Sequence, residues 1–144
     1  KIHPLNLSCE LHIFGIHFHD KKLVKYNIFC HGKISRKKLI YFYKKSIGMI
    51  CLGYDETFCL NAIEAMKIGL PVISLGKTAL KEIIKDKKNG YIIDNIENID
   101  KSIINLINLD NTSRVKLAKS CSKFASNYNS NIVFKKWDNL ILSS

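Results

Sequence analysis

The sequence predicts an α/β protein built on a doubly wound parallel sheet, with extra helices at the C-terminal end. Short apolar segments alternate with segments of helical periodicity, and glycines mark many of the joins. The apolar segments are nearly continuous rather than alternating, which is typical of parallel strands covered on both faces. From Glu97 onward only helical patterns occur. Together these three observations define the fold class.

The strands are predicted from the apolar segments, taken in chain order. Each segment is short and bounded by residues that favour turns. The five predicted strands are Leu11–Gly15, Asn27–Gly32, Gly48–Gly53, Val72–Leu75 and Tyr91–Ile93. A strand that is buried on both faces needs apolar side chains in both directions, and these segments provide them.

Helical periodicity places three helices between the strands and three more after them. Ser35 is expected to cap the first helix, because its hydroxyl can accept a hydrogen bond from a backbone N–H of the first turn. Gly69, followed by Pro71, is expected to end the second helix. The predicted helices are Ser35–Ser46, Thr57–Gly69, Thr78–Asp86, Glu97–Leu109, Thr112–Tyr128 and Asn131–Leu142.

The length and composition exclude several classes of protein. A chain of 144 residues, 47% of them hydrophobic, suits a single domain over residues 1–144 or one lobe of a larger protein, and it is too apolar to be disordered. No apolar stretch approaches the about 18 residues of a membrane-spanning helix, which excludes a membrane-embedded protein. Because the first residue is Lys1 and not an initiator Met, we expect the chain to be cut from a longer one.

The formal net charge of +11 comes almost entirely from lysine and attracts anions such as nucleotides, lipid headgroups or nucleic acid. The lysines are scattered along the chain, so a solvated basic surface is the simpler interpretation. A nucleic-acid-binding domain is the weaker hypothesis, because no predicted strand face interleaves aromatic and basic residues. The lysine-rich helix predicted over Ser35–Ser46 also allows peripheral contact with an anionic membrane.

Cysteine and histidine spacing argues against a metal site or a disulfide framework. The five cysteines are an odd number and include no C-x-x-C pair. We therefore expect them to pack as small apolar side chains in a reducing compartment, the cytoplasm. His12, His17 and His19, with Asp20 adjacent, could suggest a metal site, but no second ligand cluster closes it. We expect no metal and no bound cofactor.

Two carboxylates bracket the junction between a predicted strand and the next helix. Glu56 lies at the carboxyl end of the strand, where open parallel sheets bind ligands, and Glu64 lies inside the helix. Backbone N–H groups of residues 57–61 at the helix start form an anion site. Carboxylates would repel a bare phosphate but can orient the hydroxyls of a polyol. Alternatively, Glu56 only stabilises the helix dipole and Glu64 only faces solvent; from the residues alone the two interpretations are equal.

The segment ETFCLNAIEAMKIGLPV, Glu56–Val72, resembles the signature of the retaining glycosyltransferases known as glycosyl transferases group 1. The family pattern is E-x-F-G-x4-E-A-M-A-x-G-x-P-V. LHIFG, NIFCHGKIS and LKEIIKDKKNGYII resemble neighbouring family segments, so the resemblance extends from Leu11 to about Leu109. It implies a Rossmann-like fold, the C-terminal half of a GT-B enzyme. The matching signature residues are Glu56, Phe58, Glu64, Ala65, Met66, Gly69, Pro71 and Val72.

The resemblance also implies roles for individual residues. Glu64 would hold the ribose hydroxyls of a nucleotide-sugar donor, and Glu56, as the catalytic residue, would orient the transferred sugar near its C3 hydroxyl. The amides of Cys59, Leu60 and Asn61 would bind the donor phosphates. Further donor-binding residues would be Phe58, in the motif, and Lys33 and Ile34, whose loop would border the base.

At the level of the whole protein, the resemblance implies a cytoplasmic hexosyltransferase of polysaccharide biosynthesis, placed at the inner face of the cell membrane when its acceptor is lipid-linked. The acceptor would be a glycan or a lipid-linked molecule, bound by an upstream domain absent from this chain. No metal is implied, and no D-x-D motif occurs. The family's phosphate-neutralising Arg and Lys would precede residue 1, so this fragment by itself is expected to be inactive.

Three positions depart from the family pattern. Cys59 replaces a Gly, Gly53 stands where a Ser is common, and Ala79 stands where a Gly is usual. A side chain at residue 59 narrows the approach of a donor to the backbone. The alternative hypothesis is therefore a non-catalytic nucleotide-binding or interaction domain derived from the same fold.

Overall fold

A computed structural model describes residues 9–15, 21–53, 58–77, 79–129 and 132 of the chain. The chain divides into two compact units, Lys1–Phe42 and Tyr43–Ser144. The predicted α/β class is confirmed, because every pairing between the described strands is parallel and helices separate consecutive strands. A single domain over residues 1–144 stays a prediction.

The first unit contains a two-stranded parallel sheet in which Leu11 lies opposite Ile28. The Ser35 hydroxyl accepts a hydrogen bond from the Lys38 N–H at 3.4 Å, which confirms the predicted helix cap. The first elements of the chain are β1 (Leu11–Ile13), α1 (Lys21–Val24), β2 (Ile28–Cys30) and α2 (Arg36–Lys45). The boundary between the two units falls within α2, between Phe42 and Tyr43.

The second unit contains a three-stranded parallel sheet with β4 at its centre, in the order β3-β4-β5. A 3₁₀ turn over Ile96–Asn98 follows the last of these strands. The other elements are β3 (Met49–Cys51), α3 (Leu60–Lys67), β4 (Val72–Ser74), α4 (Leu80–Ile83), β5 (Gly90–Ile92), α5 (Ile99–Ile107) and α6 (Asn111–Ser126).

Two separate cores cover the two faces of this sheet, as the continuous apolar strands predict. In β4 all three residues are buried, and Val72 and Ile73 enter opposite cores. We name the cores by their residues. The first core consists of Cys59, Ala62, Ile63, Met66, Val72, Leu80, Ile83, Ile84, Cys121 and Ala125. The second core consists of Ile73, Leu75, Tyr91, Ile93, Leu106 and Leu117.

Strand β5 approaches β4 closely at Gly90. A Cβ added at this glycine would collide with the carbonyl oxygen of Val72 and lie 3.1 Å from the Ile84 side chain. A glycine at this position is therefore required by packing between the two strands. The strand begins at Gly90, one residue before the predicted start.

Helix boundaries are the main differences from prediction. Helix α3 begins at Leu60 rather than Thr57, and α4 spans Leu80–Ile83 rather than Thr78–Asp86. The predicted helix Asn131–Leu142 lies outside the described residues except for Ile132. Among the helices that the structure describes, none has both the length and the apolar character needed to cross a membrane.

The early end of α4 has a visible cause in the buried side chain of Asn89. The Asn89 Nδ2 donates to the carbonyl of Ile83 at 3.1 Å, and its Oδ1 accepts from the Lys85 N–H at 2.7 Å. These bonds replace the helical hydrogen bonds that would continue α4, and Ile84 already has extended dihedral angles.

Candidate functional site

Two of the residues predicted to bind the donor lie between β3 and α3. Phe58 and Cys59 lead into the helix, and Cys59 occupies its N-cap position with φ −81° and ψ 84°. The Leu60 N–H donates to the Phe58 carbonyl at 3.0 Å, so this amide is already engaged within the loop. The predicted contacts of Cys59, Leu60 and Asn61 amides with phosphates stay predictions.

Glu64 is the acidic side chain that the structure places in this segment. It is half-buried in α3, whereas its sequence neighbours Ile63 and Ala65 are 4% and 0% exposed. Its carboxylate therefore lies at the border between the first core and the surface. This position combines a fixed backbone with access to solvent, as a ligand-binding carboxylate requires.

A buried tyrosine lies close to Glu64. Tyr43, near the end of α2, is 7% exposed. Burial, followed by the negative charges of Glu64, Cys59 and Cys51, raises the pKa of Tyr43 to about 12. We call Tyr43, Cys51, Cys59 and Glu64 the Glu64 cluster.

Local sequence patterns do not single out this cluster. Tyr43 resembles the other apolar positions of α2, and Cys51 is predicted to be a packing residue. The one sequence feature that indicates a polar cluster is a tyrosine on the apolar side of a helix, because a buried phenol hydroxyl needs a polar partner.

Phe58 is held by aromatic contacts with the end of α6. Its ring is 42% exposed, and its centroid lies 5.7 Å from that of Tyr128. The Tyr128 ring in turn lies 5.5 Å from Phe124. These contacts involve the residue before the N-cap Cys59, and the role of Phe58 in donor binding stays a prediction.

Glu56, the predicted catalytic residue, lies outside the described residues, as do Tyr54, Asp55 and Thr57. Lys33 is exposed and Ile34 is half-buried in the loop that follows β2, which belongs to the first unit. The proposed roles of Glu56, Lys33 and Ile34 stay predictions.

The first unit contains a hydrogen-bonded chain of three polar side chains. His12 Nδ1 lies 2.8 Å from His31 Nε2, and His12 Nε2 lies 3.1 Å from Glu10 Oε2. Burial, then the charges of His12 and Lys38, lower the pKa of His31. His17, His19 and Asp20 lie outside the described residues, within which no three His, Cys, Asp or Glu side chains are grouped to hold a metal.

A depression of about 210 Å³ lies at the end of the three-stranded sheet opposite to the predicted ligand site. Pro71, which lines it, immediately precedes β4, so the depression is at the amino end of the strands. The Arg114 Nη2 donates to the carbonyls of Ile107 and Leu109, both at 3.2 Å. The depression is therefore separate from the predicted site at the carboxyl ends.

Solved structures with the same fold place the chain in a class. A crystal structure of the C-terminal domain of a glycosyl transferase group 1 family protein from Francisella tularensis is 26% identical, with a TM-score of 0.63 over 74% of this chain and 58% of that one. The structure of a mutant of S. aureus TarM in complex with fondaparinux, alpha-GlcNAc-glycerol and UDP has a TM-score of 0.69 at 22% identity, over 92% of this chain and 29% of that one. The fold is that of the C-terminal domain of GT-B glycosyltransferases.

The particular family follows from the sequence match. Residues 8–127 match the family described as glycosyl transferases group 1, and the chain belongs to this family. A protein from Klebsiella pneumoniae, described as an uncharacterized 41.2 kDa protein in the cps region, is 29% identical over 80% of this chain. An uncharacterized glycosyltransferase of Haemophilus influenzae is 34% identical over 52% of this chain. The chain spans 32% and 22% of the lengths of these two relatives.

Proposed function

We propose that this chain is the donor-binding lobe of a retaining glycosyltransferase, which moves a hexose from a nucleotide-sugar to a glycan or lipid-linked acceptor. The position of Glu64 is the observation that carries the proposal. It is the half-buried carboxylate of a helix that begins at the carboxyl edge of a parallel sheet, where such folds bind nucleotides. Membership of the glycosyltransferase family supports sugar transfer as the reaction.

In this proposal, Glu64 accepts hydrogen bonds from the ribose hydroxyls, and Glu56 accepts one from the transferred sugar. Hydrogen bonds to an ionised carboxylate are stronger than those between neutral groups, so the two acids can orient the donor. The bond between the anomeric carbon and the diphosphate oxygen breaks, the acceptor hydroxyl oxygen bonds to that carbon on the same face, and the hydroxyl proton passes to the leaving diphosphate. The partial positive charge of the helix dipole at the N-terminus of α3 stabilises the leaving diphosphate. No residue is assigned as a nucleophile, because Glu56 serves in orientation, and no metal is required.

The structure of the loop supports close approach of a donor despite Cys59. The Cys59 side chain is 3% exposed and packs in the first core, with its Sγ 3.3 Å from that of Cys51. The Cys59 side chain therefore occupies the core and not the solvent-facing side of the backbone, which a donor would approach. The departure from the family pattern is compatible with donor binding on these grounds.

A calorimetric titration with UDP, GDP and ADP tests the proposal in the protein that contains this chain. We expect one nucleotide to bind, and Glu64→Gln to weaken it about 10- to 150-fold, because a hydrogen bond to a charged group contributes about 1.5–3 kcal/mol. Glu82→Gln is the matched control, since Glu82 is an exposed glutamate in α4. An unchanged dissociation constant for Glu64→Gln would refute the role of Glu64.

The second candidate function is a non-catalytic nucleotide-binding or interaction domain. It is favoured by Cys59 and Ala79, which both stand where the family has glycine. A product assay with nucleotide-sugars distinguishes the two functions. Nucleotide binding without release of a nucleoside diphosphate would support the non-catalytic domain, and release dependent on an acceptor would support the transferase.

A further inference from the structure

Two cysteine thiols from different elements meet beside the loop that leads into α3. Cys51 is the last residue of β3 and Cys59 is the N-cap of α3, and their Sγ atoms are 3.3 Å apart. A disulfide bond is about 2.05 Å long, so the sulfurs need to approach by roughly 1.3 Å. Rotation about the Cα–Cβ bonds of the two cysteines is the movement that would bring the sulfurs together.

The two thiols also differ in exposure, so that one of them can meet an oxidant first. Cys51 is half-buried and accessible to a small oxidant, whereas Cys59 is 3% exposed. Cys121 is a contrasting case, because it is wholly buried and its thiol donates to the Asn89 carbonyl at 3.2 Å. Burial raises the pKa of Cys121 to about 12 and also raises the pKa of Cys9, and the Cys121 thiol bonds to a carbonyl rather than to a second thiol.

We propose that Cys51 and Cys59 are a site of reversible thiol oxidation, with a peroxide as the oxidant. The Cys51 thiolate attacks one oxygen of hydrogen peroxide, which breaks the O–O bond and gives a sulfenic acid and hydroxide. The Cys59 thiolate then attacks the Cys51 sulfur, forming the S–S bond and releasing a second hydroxide. With the two thiol protons, the products are one disulfide and two molecules of water. Each sulfur loses one electron and the peroxide gains two.

The disulfide would join the end of β3 to the start of α3 and close a ring over residues 51–59. Phe58, one of the predicted donor-binding residues, immediately precedes Cys59, so the new bond would lie beside the predicted site. The pair is adjacent to Glu64 through their shared neighbour Tyr43. The proposal itself does not depend on the proposed function, because bond formation is observable without any ligand.

Mass spectrometry of the reduced protein after treatment with one equivalent of hydrogen peroxide tests the pair directly. Trypsin releases both cysteines in one peptide, Ser46–Lys67, because no Lys or Arg lies between Lys45 and Lys67. After alkylation of the remaining thiols, we expect this peptide to lack both alkyl groups and to have lost two hydrogen atoms. Oxidation of Met49 or Met66 adds oxygen and is distinguished by mass. A reducing dithiol should restore alkylation.

Single substitutions give the controls. Cys51→Ser and Cys59→Ser should each abolish the loss of two hydrogens, whereas Cys30→Ser should leave it unchanged, because Cys30 is a comparable half-buried thiol at the end of β2. Full alkylation of Cys51 and Cys59 in folded protein, while Cys30 is already oxidised, would overturn the proposal. A crosslink between either cysteine and Cys9 or Cys30 would also overturn it.

Discussion

The two faces of the three-stranded sheet are packed with different kinds of side chain. The first core contains two alanines and three sulfur-bearing residues, and its partly buried neighbours include Cys51 and Tyr128. The second core consists of branched aliphatic side chains and one tyrosine. Both cores cover the same strands, so the difference does not reflect how deeply the strands are buried.

This difference indicates that thiol and polar groups are concentrated on one face, whereas large apolar side chains pack on both. The small side chain of Ala62, which is 0% exposed in the first core, leaves room for close packing of α3 against its neighbours. Thiol and phenol groups of the Glu64 cluster add polar character at the same place. Both cores contain branched aliphatic side chains, which provide hydrophobic stabilisation on both faces of the sheet. We therefore expect ligand binding to depend on the first core and folding to depend on both.

A matched pair of substitutions gives the largest expected effect and tests this division. Ile63→Ala in the first core and Ile73→Ala in the second each remove a side chain that is at most 4% exposed. Each should lower the free energy of unfolding by about 2–5 kcal/mol through lost burial and a new cavity. Nucleotide affinity should fall severalfold only in Ile63→Ala, because Ile63 adjoins Glu64 in α3. Denaturant unfolding and calorimetric titration measure the two quantities.

Equal losses of nucleotide affinity in the two variants would contradict the division between the faces. In that case, affinity would depend on overall stability and not on the packing of α3. Titration at a temperature where both variants remain folded is the necessary control.

A smaller effect is expected at alkaline pH and concerns the Glu64 cluster. The pKa of Tyr43 is about 12 in the folded protein and about 10 in the unfolded chain, so the folded state retains this proton more strongly. The associated stability is complete below pH 10 and is lost as the pH rises towards 12. Between pH 8 and 11, wild-type protein should lose about 1 kcal/mol more than Tyr43→Phe.

Denaturant unfolding at the two pH values measures this difference. Tyr26→Phe, which removes an exposed phenol of the first unit, serves as the control variant. If wild-type protein and Tyr43→Phe lose equal stability over this interval, the phenol does not share a buried, negatively charged environment with Glu64.

Much of the fold can be predicted from sequence because local signals determine it. The strands around Ile50 and Ile73 are recognisable as continuous apolar segments, and Ser35 marks a helix start that the structure confirms. Helix α1 is not predicted, because four residues are too few to show helical periodicity. The predicted length of α4 is too great, because the side chain that ends it, Asn89, lies in a later turn.

The site shows the same limit. Its acidic residue can be predicted from the sequence motif, and its half-burial from the apolar residues on either side. The start of α3 is not predicted correctly, because Cys59 has non-helical dihedral angles and Phe58, before it, contacts Tyr128, which is distant in sequence. The meeting of Cys51 with Cys59 and the position of Tyr43 depend on tertiary packing around α3 and β3, and no local pattern encodes that packing.

An NMR titration that follows backbone amide resonances tests the central claim most directly. The probe is whichever of UDP, GDP and ADP binds in calorimetry. The account predicts the largest shifts at the amides of Phe58–Met66, at the carboxyl edge of the sheet. Shifts concentrated at the amides of Leu70 and Arg114, which line the depression at the amino ends of the strands, with the Glu64 amide unmoved, would contradict it.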